Sequence, residues 1–346
     1  MNNKQDILAM TLDELEKFID SIGEKKFRSK QIYQWLHEKR VTSFYEMTNI
    51  SKSLQDKLNE NSIITPIKEI TKLESQDGTI KYLFELIDNN VVESVFMTYK
   101  HGNSVCISSQ VGCRMGCKFC ASTIGGLERN LSASEMLGQI YEINRISGKK
   151  ISNIVIMGTG EPLDNYDELI KFIKIINSEQ GMNISQRNIT VSTCGIIDKI
   201  YALAKESMKI TLAISLHAPN NEIRKKMMPV ANVYEYDELI KACKDYVDIT
   251  KRRITFEYSL VKDVNDSIEC ALRLSKVLKG ILCHVNLIPV NTIEERDYRH
   301  SNSETINAFK NILEKRHINC TVRRELGSDI DAACGQLRRS YNKSNL

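Results

Sequence analysis

The sequence contains no apolar run that approaches the roughly 20 residues of a membrane-spanning helix, which excludes the usual design of an integral membrane protein. Its first ten residues, MNNKQDILAM, lack the basic start, apolar stretch and small-residue cleavage site of a signal peptide. It also has no low-complexity segment and no close internal repeat. Because 42% of the residues are hydrophobic, the chain can form an ordinary globular core. We therefore expect a globular, cytoplasmic protein.

Cysteine is unevenly distributed rather than scarce. The chain has ten cysteines, of which Cys113, Cys117 and Cys120 crowd into one short segment while the others are scattered. In a reducing cytosol, clustered cysteines indicate a metal site or catalysis rather than disulfides. Scattered cysteines are usually buried as small apolar side chains.

Proline is absent from the first 65 residues, and this segment has the pattern of a helical module. Thr11 and Glu14 form a capping box ahead of an apolar helical stripe. We therefore predict an N-terminal helical accessory domain over residues 1–65. A β-meander linker is predicted over residues 66–100, with strands at 67–74, 79–87 and 91–99.

Residues 101–325 alternate short β-rich runs with amphipathic helical patterns, which is typical of an α/β core. Six β/α units imply a parallel sheet. We prefer a partial (β/α)6 barrel of the TIM type as the closure, and the alternation also allows a doubly wound sheet. Strands are predicted at 104–108, 153–157, 188–192, 209–215, 254–258, 284–288 and 319–323, and helices at 132–147, 165–178, 196–206, 235–248, 266–279 and 303–316. A polar C-terminal tail occupies residues 326–346.

The clustered cysteines form the motif Cys113-Arg114-Met115-Gly116-Cys117-Lys118-Phe119-Cys120, which follows the first strand of this core. Three thiolates at this spacing can ligate three irons of one cluster and leave the fourth iron open for chemistry. A structural zinc site would need a fourth ligand, and three buried structural cysteines are the other alternative. With an aromatic residue before the third cysteine, the motif resembles the signature of the radical S-adenosylmethionine (SAM) superfamily.

Polar and glycine-rich segments follow several of the predicted strands. In β/α barrels the chemistry collects at the carboxyl ends of the strands, so we expect these segments to line one pocket. Gly158-Thr159-Gly160-Glu161-Pro162 resembles the superfamily's motif for the amino group of SAM, because glycines permit close backbone approach and a glutamate can bind an ammonium group. Taken alone, each segment could simply cap a strand. The others are Ser192-Thr193-Cys194-Gly195, Ser215-Leu216-His217-Ala218-Pro219 and Pro289-Val290-Asn291.

The tail carries the segment Gly327-Ser328-Asp329-Ile330-Asp331-Ala332-Ala333-Cys334-Gly335-Gln336-Leu337. Taken alone, Cys334 is either a buried structural cysteine or a thiol on an accessible loop. With this segment, essentially the whole chain resembles the RlmN/Cfr family of radical SAM RNA methyltransferases. The resemblance is also carried by Cys106–Cys113, the cysteine triplet, Arg129–Leu131, Gly160–Pro162, Ser215–Pro219 and Val264–Asp266.

The resemblance implies a role for each residue of a site. Cys113, Cys117 and Cys120 would hold a [4Fe–4S] cluster. Cys334 would carry a methyl group, Cys106 would be its redox partner in a disulfide, and Glu93 would accept a proton. Two SAM molecules would be used per turnover. They would be bound by Gly160, Glu161, Ser192, Ser215, Leu216, His217 and Asn291.

The implied reaction is methylation of carbon 2 of adenine 2503 in 23S rRNA and of adenine 37 in tRNAs. This carbon has no lone pair with which to attack the SAM methyl group, and a radical route avoids the obstacle. One SAM would methylate Cys334 by displacement. A 5′-deoxyadenosyl radical from a second SAM would remove hydrogen from the thiomethyl group, and the resulting radical would add to the ring. Closure of a Cys106–Cys334 disulfide would release the product, and reductant would reopen it.

Basic residues are concentrated in one segment of the helical module, although the net charge of the chain is only +4. Clustering of this kind suits contacts with RNA phosphates, while a solvated helix face is the alternative. We expect rRNA or tRNA to bind there, reduced flavodoxin or a similar protein to donate electrons, and the enzyme to be a monomer. The cluster consists of Lys25, Lys26, Arg28, Lys30, Lys39 and Arg40.

Two other functions remain open at this point. A Cfr-like enzyme would methylate carbon 8 of the same rRNA adenine and confer antibiotic resistance, and Pro162 and Ala218 favour carbon 2 instead. A non-catalytic iron–sulfur electron carrier or RNA-binding module is the second alternative. Three cysteines, rather than four, and a lined pocket speak against it.

Overall fold

The structure, a computed structural model, describes residues 4–100, 102–290, 298–324 and 326–330. Most of its strands form one ten-stranded sheet. The strands are β1 Gln5–Asp6, β2 Ser62–Ile63, β3 Lys68–Glu74, β4 Ile80–Glu85, β5 Val91–Tyr99, β6 Gly102–Cys106, β7 Gln110–Gly112, β8 Leu127–Asn130, β9 Ile151–Ile156, β10 Ile189–Thr193, β11 Thr211–Ser215, β12 Ile254–Leu260, β13 Cys283–Pro289 and β14 Cys320–Val322.

Three helices precede the ten-stranded sheet, and the others connect its parallel strands. The six helices predicted between residues 132 and 316 have ends within two residues of the predicted ones, and a short helix over residues 221–227 was not predicted. The helices are α1 Leu12–Ser21, α2 Phe27–Gln34, α3 Lys52–Asn61, α4 Ala133–Ser147, α5 Tyr166–Ile176, α6 Ile197–Lys205, α7 Asn221–Met227, α8 Tyr236–Thr250, α9 Ile268–Leu278 and α10 Ser303–Lys315.

The core of the sheet consists of parallel strands in chain order. Its sequence of neighbours is β14-β13-β12-β11-β10-β9-β6, and each of these pairs is parallel. This confirms the predicted α/β architecture. Within the part of the chain that the structure describes, the edge strands β14 and β3 do not pair, so the sheet stays open as a partial barrel.

The predicted meander corresponds to β3, β4 and β5, which run antiparallel and continue the sheet beyond β6. Strand β5 is buried from Val91 to Met97, because it lies between neighbours on both sides. Residues of β4, β5 and β6 that pair directly share a face of the sheet. Lys81, Val95 and Cys106 form one such row across the three strands.

The N-terminal helices dock on the outside of the α/β core. Thr11 and Glu14 form the predicted capping box at the start of α1. Glu14 also makes an ion pair with Lys171 of α5, with 3.0 Å between the Nζ and Oε1 atoms. Nearby, the Tyr141 hydroxyl of α4 lies 2.8 Å from Nδ1 of the buried His37. No helix among the described residues has the length and apolar character required to cross a bilayer.

Candidate active site

A cavity of about 610 Å³ opens at the carboxyl ends of the parallel strands, as expected for a barrel-like sheet. Its volume is in the range of pockets that bind small ligands. Every one of the strands β6 and β9–β13 contributes to its wall. The strand-end residues that line it include Cys106, Met157, Gly158, Ser192, Thr193, Cys194, Ser215, His217, Glu257, Ser259, Pro289 and Val290.

The three clustered cysteines also line this cavity. They lie on the loop between β7 and β8, whose base is closed by a 2.8 Å hydrogen bond from the Cys113 N–H to the Gly126 carbonyl. Burial raises the pKa of the Cys113 thiol to about 12. Burial, followed by the neighbouring Cys120 and Cys113 thiols, also raises the pKa of Cys117. Thiolates at these positions therefore need a nearby positive charge, which a bound iron centre supplies.

The donor set fits an iron–sulfur cluster. Among the described residues, no group of three or more histidine, cysteine or carboxylate side chains is arranged to hold a metal ion. A cluster does not require such convergence, because each cysteine ligates a different iron. Apolar residues surround the thiols, as suits a cofactor kept away from water. They include Met115, Phe119, Met227, Met228 and Val230.

Glu161 lies at the centre of the cavity wall with its carboxylate buried. Its Oε2 accepts a 2.7 Å hydrogen bond from the Cys194 N–H, and its Oε1 accepts one of 3.0 Å from the Leu163 N–H. Burial raises the pKa of this carboxyl, against the hydrogen bonds that lower it. Each oxygen retains acceptor capacity for an ammonium group of a ligand.

The glycine before Glu161 is required by close packing. Gly160 has a φ of +110°, and a Cβ there would lie 2.6 Å from the Cβ of Gln110. Gln110 in turn accepts a 2.8 Å hydrogen bond from the Glu161 N–H at its Oε1. The glycine therefore lets the loop after β9 approach the segment before the cysteines, and this contact fixes the Glu161 backbone.

His217 is buried at the end of β11 in the left-handed backbone region, with a φ of +53°. Its Nδ1 accepts a 2.9 Å hydrogen bond from the Ser259 N–H, so the proton of the neutral ring resides on Nε2. Burial, with a contribution from Arg224, lowers the pKa of His217 to about 3. Its ring packs edge-on against Phe119 of the cysteine loop, with centroids 4.6 Å apart.

The other residues predicted to contact SAM differ in whether they line the cavity. Ser192 and Ser215 line the cavity. Leu216 is fully buried and does not line it, and its N–H donates a 3.0 Å hydrogen bond to the Glu257 carbonyl. Asn291 lies outside the described residues.

Two of the three predicted catalytic residues, Cys106 and Glu93, lie in the part of the chain that the structure describes. Cys106 is buried at the end of β6 and lines the cavity, in an apolar cluster with Val95 and Met97. Glu93 is buried on the face of β5 that also carries Val95 and Met97, but it does not line the cavity. Its Oε2 lies 3.2 Å from Nζ of the fully buried Lys81. Cys334 lies outside the described residues.

Several buried polar residues that organise the site were not predicted. Arg224 donates hydrogen bonds to the carbonyls of Ser215, Leu216 and Cys194. The Asn265 amide donates 2.7 Å hydrogen bonds to the carbonyls of His217 and Ser259. Asn265 lies in the Val264–Asp266 segment, which carries part of the family resemblance, but no role was predicted for it. Arg224 lies in an unremarkable amphipathic pattern and had no such signal.

The basic cluster of the N-terminal module is largely on the surface. Lys25, Lys26, Lys30 and Lys39 are exposed. The exposed Phe27 ring lies 4.9 Å below the Arg28 guanidinium. Exposed cations beside an aromatic ring suit phosphate and base contacts.

Two family models match the chain. Residues 5–64 match the "Ribosomal RNA large subunit methyltransferase N-terminal domain", and residues 107–274 match the radical SAM superfamily. The second range contains the cysteine loop, Glu161 and His217, which the structure places around one cavity.

The chain is similar over its whole length to curated proteins. It is 60% identical to a "Probable dual-specificity RNA methyltransferase RlmN" of Lachnoclostridium phytofermentans, over 100% of this chain and 98% of the relative. A protein of the same name from Clostridium novyi is 57% identical over 99% of this chain and 100% of that protein. The crystal structure of a radical SAM methyltransferase from Sphaerobacter thermophilus has a TM-score of 0.92 and 42% identity, covering 96% of this chain and 98% of that one.

Proposed function

The chain belongs to the RlmN family of dual-specificity radical SAM RNA methyltransferases, and we propose that it methylates carbon 2 of adenine 2503 in 23S rRNA and of adenine 37 in tRNAs. One observation carries the proposal. The three clustered cysteines, Cys106 and Glu161 line the same cavity at the strand ends. The proposed cluster ligands and the proposed redox-active thiol therefore face one open cavity.

The residues of the cavity divide into two groups by their chemistry. Cys113, Cys117 and Cys120 hold the [4Fe–4S] cluster, and Glu161 binds the amino group of SAM. When bound, the cluster and SAM supply a methyl group and a 5′-deoxyadenosyl radical. The remaining SAM contacts come from Gly160, Ser192, Ser215, Leu216, His217 and Asn291. Leu216 is included because the family resemblance implies it. In the structure its side chain is buried, its N–H donates to the Glu257 carbonyl and its carbonyl accepts from Arg224.

His217 supports SAM in its neutral form. Because its Nδ1 is occupied by the Ser259 N–H, the ring presents an Nε2–H donor. With a pKa of about 3, the ring carries no positive charge at neutral pH and does not repel the sulfonium of SAM. Hydrogen-bond donation, rather than proton transfer, is therefore the role we assign to it.

The protein's own thiols and carboxylate act on the RNA base. Cys334 accepts the methyl group and then links the protein to the adenine ring. Glu93 takes the proton that leaves carbon 2, and the adjacent Lys81 ammonium stabilises the ionised carboxylate that this role requires. Cys106 attacks the Cys334 sulfur and breaks its bond to the methylene carbon on the adenine. The electron pair of that bond stays with the methylene carbon, which takes up a proton to become the methyl group, while the Cys106–Cys334 disulfide remains for reductant to reopen.

We assign the partners and domains in the same way. Residues 1–65 bind RNA through the basic cluster, residues 66–100 link this module to the catalytic core of residues 101–325, and residues 326–346 carry Cys334. The target adenine leaves its stack to reach the cavity. The enzyme works as a monomer in the cytoplasm, with reduced flavodoxin or a similar protein as electron donor.

Anaerobic reconstitution tests the proposal. The protein with iron, sulfide, SAM and dithionite is expected to release 5′-deoxyadenosine, and digested rRNA and tRNA are expected to contain 2-methyladenosine. Cys334→Ala should abolish methyl transfer from the first SAM, while Cys106→Ala should accumulate a crosslinked RNA adduct. Cys270→Ala, at a buried cysteine of α9, is the matched control and should retain activity.

Each outcome has a clear reading. Free 2-methyladenosine at normal yield from Cys106→Ala or Cys334→Ala would contradict the mechanism. A digest that contains only 8-methyladenosine would establish the carbon 8 activity instead. Zinc in place of iron, with no 5′-deoxyadenosine, would overturn the whole proposal.

A further inference from the structure

The last described part of the C-terminal segment is held against the turn between β3 and β4. The Asp329 carboxylate accepts a 2.5 Å hydrogen bond from the Ser75 hydroxyl and a 3.1 Å hydrogen bond from the Gln76 N–H. In the opposite direction, the Asp77 carboxylate accepts a 3.0 Å hydrogen bond from the Gly327 N–H. The two segments are about 250 residues apart in sequence, so these bonds are tertiary contacts.

The same segment reaches the active-site wall. Leu326 packs on the apolar cluster of Val95, Met97 and Cys106, and both Leu326 and Gly327 line the cavity. The segment therefore packs on the cluster that contains Cys106 immediately before it binds the turn. Leu326 and Gly327 therefore face the cavity, while Asp329 binds the turn between β3 and β4.

We propose that Asp329, Ser75, Gln76 and Asp77 form a latch that holds the C-terminal segment beside Cys106 and thereby places Cys334 within reach of it. This inference rests on the proposed function, which pairs these two cysteines. None of these four residues lines the cavity. They are positioning residues that act through the chain leading to Cys334.

The latch shortens the tether of the reactive thiol. Cys334 is twelve residues beyond Val322, the last residue of β14, but only five beyond Asp329. A fully extended chain spans at most about 3.5 Å per residue, so the reach falls from roughly 40 Å to roughly 17 Å. By the three-halves power of loop length, the local concentration of the thiol near Cys106 rises about fourfold.

The charges of the latch fit a contact that persists at neutral pH. The pKa of Asp77 is about 2, because hydrogen bonds led by the Gly327 N–H outweigh the effect of partial burial, which would raise it. The Ser75 hydroxyl and the Gln76 N–H lower the pKa of Asp329. Both carboxylates therefore remain ionised acceptors under conditions in which the enzyme works.

Disulfide closure measures the effect of the latch without RNA. The reduced, cluster-loaded enzyme is mixed with oxidised glutathione, which accepts two electrons and two protons as Cys106 and Cys334 form a disulfide. Peptide mapping without reductant gives the rate. We expect the double variant Asp77→Ala, Asp329→Ala, which removes both carboxylates of the latch, to slow closure by up to about fourfold. Asp329→Ala alone leaves Gly327 bound to Asp77, so it should slow closure by a little less than about twofold, and Ser75→Ala should have a smaller effect. Asp329→Asn, which retains one acceptor oxygen, should lie between Asp329→Ala and wild type.

Two further measurements separate positioning from a general loss of structure. Hydrogen exchange at the Gln76 amide should accelerate in Asp329→Ala, because its acceptor is lost. Iron content and SAM cleavage to 5′-deoxyadenosine should equal those of wild type. The matched control is Asp248→Ala, an exposed aspartate of α8, for which closure should be unchanged.

The outcomes distinguish the latch from the proposed function. Wild-type closure that slows only in the latch variants supports the inference. Closure in Asp329→Ala at the wild-type rate overturns the latch and leaves the proposed function intact. If wild type closes no Cys106–Cys334 disulfide and methylates no RNA, both the proposed function and the latch, which depends on that pairing, are overturned.

Discussion

His217 has an uncommon backbone conformation that neighbouring hydrogen bonds hold in place. The positive φ of His217 is uncommon for a residue with a side chain, and such positions occur where the surroundings hold the backbone in place. The Asn265 amide provides that support by binding the carbonyls of His217 and Ser259, while its own Oδ1 accepts a 2.7 Å hydrogen bond from the Val261 N–H. The geometry of one cavity residue therefore depends on a buried amide nearly fifty positions away in sequence.

The buried ion pair between Lys81 and Glu93 gives a test that separates stability from catalysis. Removing one partner of such a pair costs about 3–5 kcal/mol, since a charge remains buried, whereas replacing both by apolar residues is often neutral. We expect Lys81→Met to lower the free energy of unfolding by about that amount. The double variant Lys81→Met, Glu93→Leu should recover most of the loss in urea denaturation.

Activity should not recover with stability. If Glu93 accepts the proton from carbon 2, the folded double variant still lacks the base, and the crosslinked RNA adduct should accumulate in a denaturing gel. Leu83→Met, at the β4 residue that pairs with Glu93, is the control and should turn over normally. Normal turnover by the double variant would remove Glu93 from the mechanism.

At the scale of elements, the short helix α7 bridges the ends of β10 and β11 through the hydrogen bonds of one side chain. Its Arg224 is fully buried, and the guanidinium donates to the carbonyls of Cys194 after β10 and of Ser215 at the end of β11. Those carbonyls lie next to side chains that line the cavity. The helix therefore holds together two walls of the cavity proposed to bind SAM, although the side chains of α7 do not line it.

Replacing this arginine tests that role. Arg224→Met leaves several buried carbonyls without their donor, and we expect it to lower the free energy of unfolding by about 3 kcal/mol and to weaken SAM binding about tenfold. Equilibrium binding of SAM to the anaerobic, iron-loaded protein measures the second effect. Arg273→Met, at an exposed position of α9, should bind as wild type does. Equal SAM affinity of Arg224→Met and wild type would show that α7 does not shape the site.

The sequence was informative about elements whose side chains follow a period, and less so elsewhere. The strands β9–β13 were predicted because apolar runs end at polar segments, and the start of α1 because Thr11 and Glu14 cap it. The hairpin β7–β8 was missed, since strands of three and four residues are too short to show alternation. Buried polar residues such as Arg224 and Asn265 were not predicted as structural supports, because composition assigns these residue types to the surface.

At the scale of the whole molecule, the N-terminal module and the core share a buried contact. His37 lies in the helical turn after α2 and is fully buried where the module meets α4 of the core. Its Nδ1 is hydrogen-bonded to the Tyr141 hydroxyl at 2.8 Å. Burial lowers the pKa of His37 to about 3 and raises that of Tyr141, so both groups remain neutral in the folded protein.

This contact predicts that stability falls in mild acid. Unfolded histidine titrates near 6.5, whereas folded His37 remains neutral to about pH 3. Below pH 6.5 the unfolded chain therefore binds more protons than the folded one, and the free energy of unfolding falls as the pH falls. From pH 7.5 to pH 5 this one residue accounts for a loss of about 2 kcal/mol. Urea denaturation across this range, compared with His37→Gln, isolates the contribution.

The variant should show a flatter dependence on pH, because glutamine cannot take up the proton and its side-chain amide can still hydrogen-bond to the Tyr141 hydroxyl. His317→Gln, at an exposed histidine, should keep the wild-type slope. The loss with acid should also appear in RNA binding, since unfolding at this contact separates the basic cluster from the core that carries the cavity. A His37→Gln protein whose unfolding free energy falls as steeply as that of wild type would show that His37 is not the group through which acid acts on the module.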